Sequence, residues 1–365
     1  MDESVVLIDP ALNRHFAAFL RTLWRGSSLE TRIHPADEMF RYELAQPHRA
    51  PETASVFYFH TGRTIFETLE RLATGRPGGL SDARILDFAS GFGRSTRFLV
   101  DAIGPERVHV SEIDPDAVSF QQSVFGVRGT VSDHDPSRFE MSGSFDLVTA
   151  WSFFSHLPGR RFEPWLDCLY RLLAPGGSLI LSVHGMSLLA AADQSPAGIV
   201  FRPVSETRRL ASQEYGTSYV TAEFVRRAVS AAAPDATLRT FPFGLCGFQD
   251  VYVLRRPPVS PLASLRLFRC PWGVMDTSAI ENGTVSVGGW ASGDGDETPP
   301  HVALYFDDVL RQRSPGEGEA GAPRRWAFQF PVDGTHPDAI VRIEATSVNG
   351  MSRVFVAETL RPYLG

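Results

Sequence analysis

The stretch ILDFASGFGRSTRFL, residues 85–99, decides the fold. An apolar run closes on an acid, Asp87. A turn bearing Gly91 and Gly93 then opens into a segment with apolar residues at helical spacing. Glycine lets the backbone approach a ligand closely, and the N-terminus of a helix turns its N–H groups toward that ligand. A dinucleotide-binding turn asks for a third glycine after G-x-G-x-x, where this chain has Thr96. A carboxylate beside a pyrophosphate repels it, whereas beside an ammonium or a sulfonium it is favourable. Asp87 therefore argues for a cationic ligand.

Outward from this turn, apolar strand-like runs alternate with helical patterns. RILDFA, RVHVSE, GTVSD, FDLVTAW and SLILSVHG read as strands, and RSTRFLVDAI and FEPWLDCLYRLL as helices. This alternation predicts a parallel sheet with helices on both faces. After a longer segment, 186–232, ending in the helical TAEFVRRAVSAA, the runs ATLRTFPFG and FQDVYVLRR are joined by a glycine-rich turn and predict an antiparallel hairpin at the sheet edge. RRPPVSPLAS (255–264) reads as a linker. Beyond it TVSVGGWA, HVALYFDD, RRWAFQF, AIVRIEATS and SRVFVAE are short alternating strands, which predicts a β-sandwich with SPGEGEAGAP (314–323) as a loop. Trp290 reads as part of its core, with a sugar platform as the alternative. Before residue 81 the pattern is helical, in HFAAFLRTLW and TIFETLERLA. The expected division is a helical cap over 1–80, an α/β domain over 81–257 and an all-β domain over 265–365. Cleavage near Pro258 is expected to release an N-terminal piece that folds alone.

A chain of 365 residues, 43% hydrophobic, has ample apolar side chains for two or three domains. The net charge of −7 argues against general nucleic-acid binding. All 35 basic residues are arginine, which reads as codon bias in a GC-rich genome. Three scattered cysteines, Cys168, Cys246 and Cys270, suggest neither a disulfide framework nor zinc. No signal peptide or membrane span is apparent, so a cytoplasmic protein is expected. The oligomeric state stays open, a homo-oligomer included.

Taken together, ILDFASGFG, SEIDPDA, SDHD, FDLVTAWSFFSHLP and LLAPGGSLILSVHG resemble, in order and spacing, the core of class I S-adenosylmethionine-dependent methyltransferases. The resemblance extends from about residue 50 to 256. It implies a Rossmann-like seven-stranded sheet whose last strand is antiparallel, with S-adenosylmethionine as cofactor. Carried over residue by residue, Asp87, Ala89, Ser90, Gly91 and Gly93 would line the methionine and ribose. Glu112 would take the ribose hydroxyls, and Ile113 would lie against the adenine. Asp133 would accept from the adenine amino group, with His134 beside it. Trp151 and Ser152 would close the pocket floor. The family often has glycine where Ala89 stands, a substitution expected to be mild if that residue keeps a negative φ. Tyr58 and Arg63, set before the helix TIFETLERLA, would reach the cofactor from the cap; core packing by Phe57 and Phe59 is the alternative. A metal site in SDHD or EIDPD is rejected in favour of adenosine contacts and helix caps.

Methyl transfer needs a nucleophile held in line with the S–CH₃ bond, and for a hydroxyl acceptor a base near its proton. His156 in FSHLP and His184 in SVHG, at the ends of the fourth and fifth strands, are the candidate bases, with helix capping or packing as the plainer roles. Tyr215 and Tyr219 are candidates for stacking on an acceptor ring or sugar. The sandwich faintly resembles modules appended to bacterial enzymes that modify surface glycans. The expected function is O-methylation of a glycan or small-molecule hydroxyl. The alternatives are a natural-product acceptor outside the sugars, a non-catalytic protein that binds the cofactor or assembles partners, and an NAD oxidoreductase, which Asp87 disfavours.

Overall fold

The computed structural model describes residues 6–24, 28–47, 49–76, 78–204, 210–258, 262–293, 300–314, 323–331 and 336–361. Its helices are α1 (Arg14–Leu23), α2 (Glu38–Leu44), α3 (Pro51–Ala73), α4 (Thr96–Ile103), α5 (Pro115–Phe125), α6 (Gly159–Arg171) and α7 (Ala222–Ala232). None of the described helices is long and apolar enough to cross a membrane. The described residues divide into two compact units, one within 66–267, the other of 6–65 with those after 267.

The first unit is built on nine strands: β1 (Ile85–Phe88), β2 (Val108–Glu112), β3 (Arg128–Val131), β4 (Phe145–Ala150), β5 (Leu173–Gly185), β6 (Ile199–Arg202), β7 (Thr217–Val220), β8 (Thr237–Leu245) and β9 (Gln249–Arg255). Strands β3-β2-β1-β4-β5 are parallel neighbours. β9 runs antiparallel to β5 over Ser178–His184, and β8 pairs antiparallel beyond it. These seven strands are the expected sheet with its reversed strand. β1 is buried along its whole length, as a central parallel strand covered on both faces must be. On one face Phe88, Phe153 and Trp165 of α6 pack with ring centroids 4.9–5.3 Å apart. The longer segment after β5 adds something unforeseen. β6 and β7 form an antiparallel pair attached to β5 only at His184–Gly185, beyond the point where β4 ends its pairing at Leu181.

The second unit holds a sandwich of a three-stranded and a four-stranded antiparallel sheet, in orders β10-β11-β14 and β13-β12-β15-β16. Its strands are β10 (Trp272–Glu281), β11 (Thr284–Ser292), β12 (His301–Phe306), β13 (Val309–Ser314), β14 (Arg324–Pro331), β15 (Ile340–Thr346) and β16 (Ser352–Thr359). Its core holds Val285, Leu304, Phe328, Val341 and Trp326. Trp326, and not the half-buried Trp290, is thus the core tryptophan. The loop expected at 314–323 lies, apart from its first and last residues, outside the described residues, as do 259–261 of the linker.

The N-terminal helices belong to this unit. Arg342 of β15 is buried, ion-paired with Glu344, stacked 4.1 Å from the Tyr305 ring and 5.2 Å from that of Phe19 in α1, and donates to Thr22. His60 of α3 lies 3.1 Å from Ser352 Oγ, and burial with Arg63, Arg342 and Arg353 nearby pushes it down to about 3. His15 Nδ1 meets Asp307 at 2.9 Å. Residues 6–65 therefore pack as part of the sandwich unit, where a separate cap over 1–80 was expected. The expectation for cleavage near Pro258 changes with it. A fragment 1–258 would expose Phe16, Phe19 and Phe59, all essentially fully buried in the intact chain. We expect that fragment to aggregate or to show rapid hydrogen exchange across 6–65. Slow exchange throughout 6–65 in a monodisperse 1–258 fragment would contradict this packing.

Candidate active site

The carboxyl ends of β1, β2 and β4 meet around the glycine turn. Asp87 is buried, and its two carboxylate oxygens accept from Thr96 Oγ1 at 2.8 Å and Thr149 Oγ1 at 2.9 Å. It thus joins β1 to the start of α4 and to β4. Burial pushes its pKa up, and the two hydroxyls oppose that shift.

The turn is held by side chains as well as glycines. Ala89 has φ 55°, in the left-handed region, so the condition for a mild substitution is not met and its Cβ is strained there. Gly91 and Gly93 have φ 57° and 79°. A Cβ at Gly91 would meet nothing within 4 Å, so its face of the turn is open. A Cβ at Gly93 would lie 2.3 Å from the Phe125 ring and 2.8 Å from Gln121 Oε1. Gln121 of α5, which the sequence reading missed, donates to Ser90 Oγ at 2.9 Å and to the Gly91 carbonyl at 2.8 Å. Glu112, at the end of β2, accepts from Gly91 N–H at 2.8 Å and Ile113 N–H at 2.7 Å, which oppose the upward push of burial on its carboxyl. A carboxylate has about four lone-pair positions, so these bonds leave Glu112 capacity for further donors.

Asp133 accepts from Asp135 N–H and pairs with His134 Nδ1 at 2.9 Å, in a partly exposed turn after β3. Asp114 and Asp135 cap the helical turns that follow them, as expected of SEIDPD and SDHD. Trp151 is buried just after β4. Ser152 has φ 57°, and its N–H donates to Ser182 Oγ at 2.8 Å. Tyr58 and Arg63, expected to reach the cofactor, belong to the other unit and sit midway along α3 rather than before a helix. Tyr58 is fully buried there and donates to Asp37 at 2.6 Å.

The two candidate histidines and two candidate tyrosines come together where β4, β5 and β7 end. His156 Nδ1 donates to the Gly216 carbonyl at 2.6 Å, and its ring stacks on Tyr215 at 4.8 Å. With the proton fixed on Nδ1, the lone pair of His156 resides on Nε2. His184 lies 6.1 Å away, ring to ring, flanked by Tyr219 at 5.4 Å and Phe248 at 6.0 Å. Burial and the neighbouring His156 push His184 down to about 4, so it is neutral at pH 7 and a weak base. Gln249 Nε2 donates to its Nε2 at 3.2 Å.

A family model described as a methyltransferase domain matches residues 86–179. The match spans about a quarter of the chain and runs from β1 into β5, the strands whose order was expected of a methyltransferase core. No curated protein matches the chain. Among solved structures, an O-methyltransferase family protein from Burkholderia thailandensis aligns at 14% identity over 56% of this chain and 60% of that one, with a TM-score of 0.40. Magnesium protoporphyrin IX methyltransferase from Synechocystis, solved with bound S-adenosylmethionine, aligns at 15% over 60% and 90%, TM-score 0.39. An amino pentose methyltransferase from Micromonospora echinaspora aligns at 18% over 55% and 91%, TM-score 0.39.

Two outcomes test this geometry. In denaturant unfolding Ala89→Gly should stabilise by up to about 1 kcal/mol, and Gly91→Ala should destabilise by about as much, because only backbone strain changes. Gly93→Ala should lose about 1–3 kcal/mol more through overpacking against Phe125. Equal effects at Gly91 and Gly93 would contradict the packing. For His184, the unfolded chain takes up a proton near the ordinary pKa of about 6.5 and the folded chain only near 4. Stability should therefore fall as pH drops from 6.5 to 4. His184→Gln should show a shallower fall over that window in urea midpoints, and an unchanged slope would count against a neutral, buried imidazole.

Proposed function

We propose that the chain is an S-adenosylmethionine-dependent methyltransferase that methylates a hydroxyl of a glycan or other small molecule, with His156 as general base. The observation that carries the reading is the fixed tautomer of His156, with Nδ1 tied to the Gly216 carbonyl, in a cluster with Tyr215, His184 and Tyr219 at the ends of β4, β5 and β7. The donor set suits the cofactor. The open face at Gly91 admits close approach, and Glu112 retains acceptor capacity for the ribose hydroxyls. Ile113, Asp133 and His134 would flank the adenine, and Trp151 and Ser152 the sulfur end.

The cofactor supplies an electrophilic methyl group on a sulfonium. The protein's part is orientation and proton removal. Tyr215 and Tyr219 offer aromatic faces on which a sugar or other ring can lie, orienting its hydroxyl. With the cofactor bound, His156 Nε2 would take the hydroxyl proton as the oxygen bonds the methyl carbon and the S–CH₃ bond breaks, its electron pair leaving with neutral S-adenosylhomocysteine, and the Gly216 carbonyl would stabilise the resulting imidazolium through Nδ1–H. Neutral His184 adds no repulsion to that charge. A glycan acceptor finds support only in the appended sandwich, and a natural product outside the sugars is the second acceptor class.

The test pairs binding with turnover. Calorimetry should find binding of S-adenosylhomocysteine and none of NAD. Methyl-labelled cofactor should pass label to a bacterial glycan extract or a panel of small hydroxyl compounds. His156→Gln should lower that rate about 10²–10⁴-fold with cofactor affinity intact, because it keeps hydrogen bonding but accepts no proton. A Gln variant retaining more than about a tenth of the rate would remove His156 from the base role. Cofactor binding without transfer to any acceptor would favour the non-catalytic reading.

A further inference from the structure

We infer that Gln249 is a positioning residue whose single amide sets the Ser152 backbone on the cofactor side of the crevice and the His184 tautomer on the acceptor side. The inference rests on the crevice assignment just made. Gln249 begins β9, is almost fully buried, and lies directly opposite His184 in the antiparallel ladder with β5. Ser182, two residues before His184, shares its face of the sheet.

The amide is used at both ends. Ser152 N–H donates to Ser182 Oγ at 2.8 Å, and Ser182 Oγ donates in turn to Gln249 Oε1 at 2.6 Å. Ser152 Oγ lies 3.2 Å from the same oxygen and 3.1 Å from Nε2. Gln249 Nε2 donates to His184 Nε2 at 3.2 Å, which leaves the imidazole proton on Nδ1, a buried atom that makes no hydrogen bond among the described residues. Ser152 is held at φ 57°, a conformation a serine does not favour, so something must fix it. Ser182, buried and committed to Gln249, does so. Only an amide satisfies both demands: a carboxylate lacks the donor for His184, and an apolar side chain lacks both functions.

The test uses S-adenosylhomocysteine as the probe, with calorimetry for affinity and imidazole ¹⁵N NMR shifts for the His184 tautomer. Wild type should show a neutral His184 protonated on Nδ1. Gln249→Leu should weaken binding about fivefold or more, the scale of one lost hydrogen bond. Ser182→Ala should weaken it similarly while leaving the His184 tautomer unchanged. Gln249→Glu keeps oxygens for both serines and should retain affinity, yet it should move the His184 proton to Nε2 and raise the pH at which the ring titrates. A purely structural glutamine would give one common loss of thermal stability and no such separation. Wild-type affinity in folded Gln249→Leu or Ser182→Ala overturns the proposal, as does a Gln249→Glu variant that binds no better than Gln249→Leu. If Gln249→Leu fails to fold, Ser182→Ala and Gln249→Glu still decide it. If wild type binds no S-adenosylhomocysteine, the cofactor reading fails, and the His184 tautomer switch in the free protein then decides for or against Gln249.

Discussion

A carboxylate buried at the end of a central parallel strand is expensive unless its oxygens are hydrogen-bonded. Asp87 meets that condition with two threonine hydroxyls, one at the first turn of α4 and one on β4. The crevice depends on this. The two bonds fix where β1 stops, where the helix after the turn begins, and how far apart β1 and β4 lie at their carboxyl ends. Glu112 then gathers the N–H groups of Gly91 and Ile113 from the side, and Gln121 braces the Gly91 carbonyl from the helix. The glycine turn is thus pinned from three directions, which is how a strained alanine at 89 is tolerated.

The second unit obeys a similar rule with the opposite charge. Arg342 is buried in the sandwich, and its guanidinium lies against Tyr305 and Phe19 and pairs with Glu344. Such a group is stable only while all its partners are present, since removing one strands a buried charge. Two of those partners, Phe19 and Thr22, lie on α1. The N-terminal helices are therefore structural members of the sandwich unit, although roughly two hundred residues separate them from it in sequence.

The sheet was legible because its strands are apolar runs between helical periods, and parallel strands covered on both faces can be little else. The glycine turn and the acids around it were legible because Asp87 and Glu112 stand at strand ends. What escaped the sequence did so for identifiable reasons. β10 is mostly exposed and lacks the alternation of a half-buried strand, although Asn282-Gly283, both at positive φ, mark its hairpin with β11. β13 is a short, exposed edge strand. The start of α3 was hidden because SVFYFHTGR is rich in aromatic and β-branched residues, and its helical state comes from packing in the sandwich unit rather than from propensity. Gln121 and Gln249 carry no pattern at all. Their roles come from which backbone atoms and serines happen to face them, and that is a property of the folded chain alone.

The β6–β7 pair hangs from β5 by two ladder positions, beyond the end of β4, while β5 itself is anchored by β4 and β9 along the rest of its length. Its other ties run to the loop after β4, where the Ser155 and His156 carbonyls accept from Ser218 N–H and Gly216 N–H, so the residues before these contacts can be lengthened, shortened or resequenced without disturbing the ladder that carries the glycine turn. Evolution can therefore change what the crevice accepts at one end while the other end stays under strict selection, and lineages carrying this fold should diverge fastest between residues 186 and 214, ahead of the Tyr215–Gly216 contact with His156.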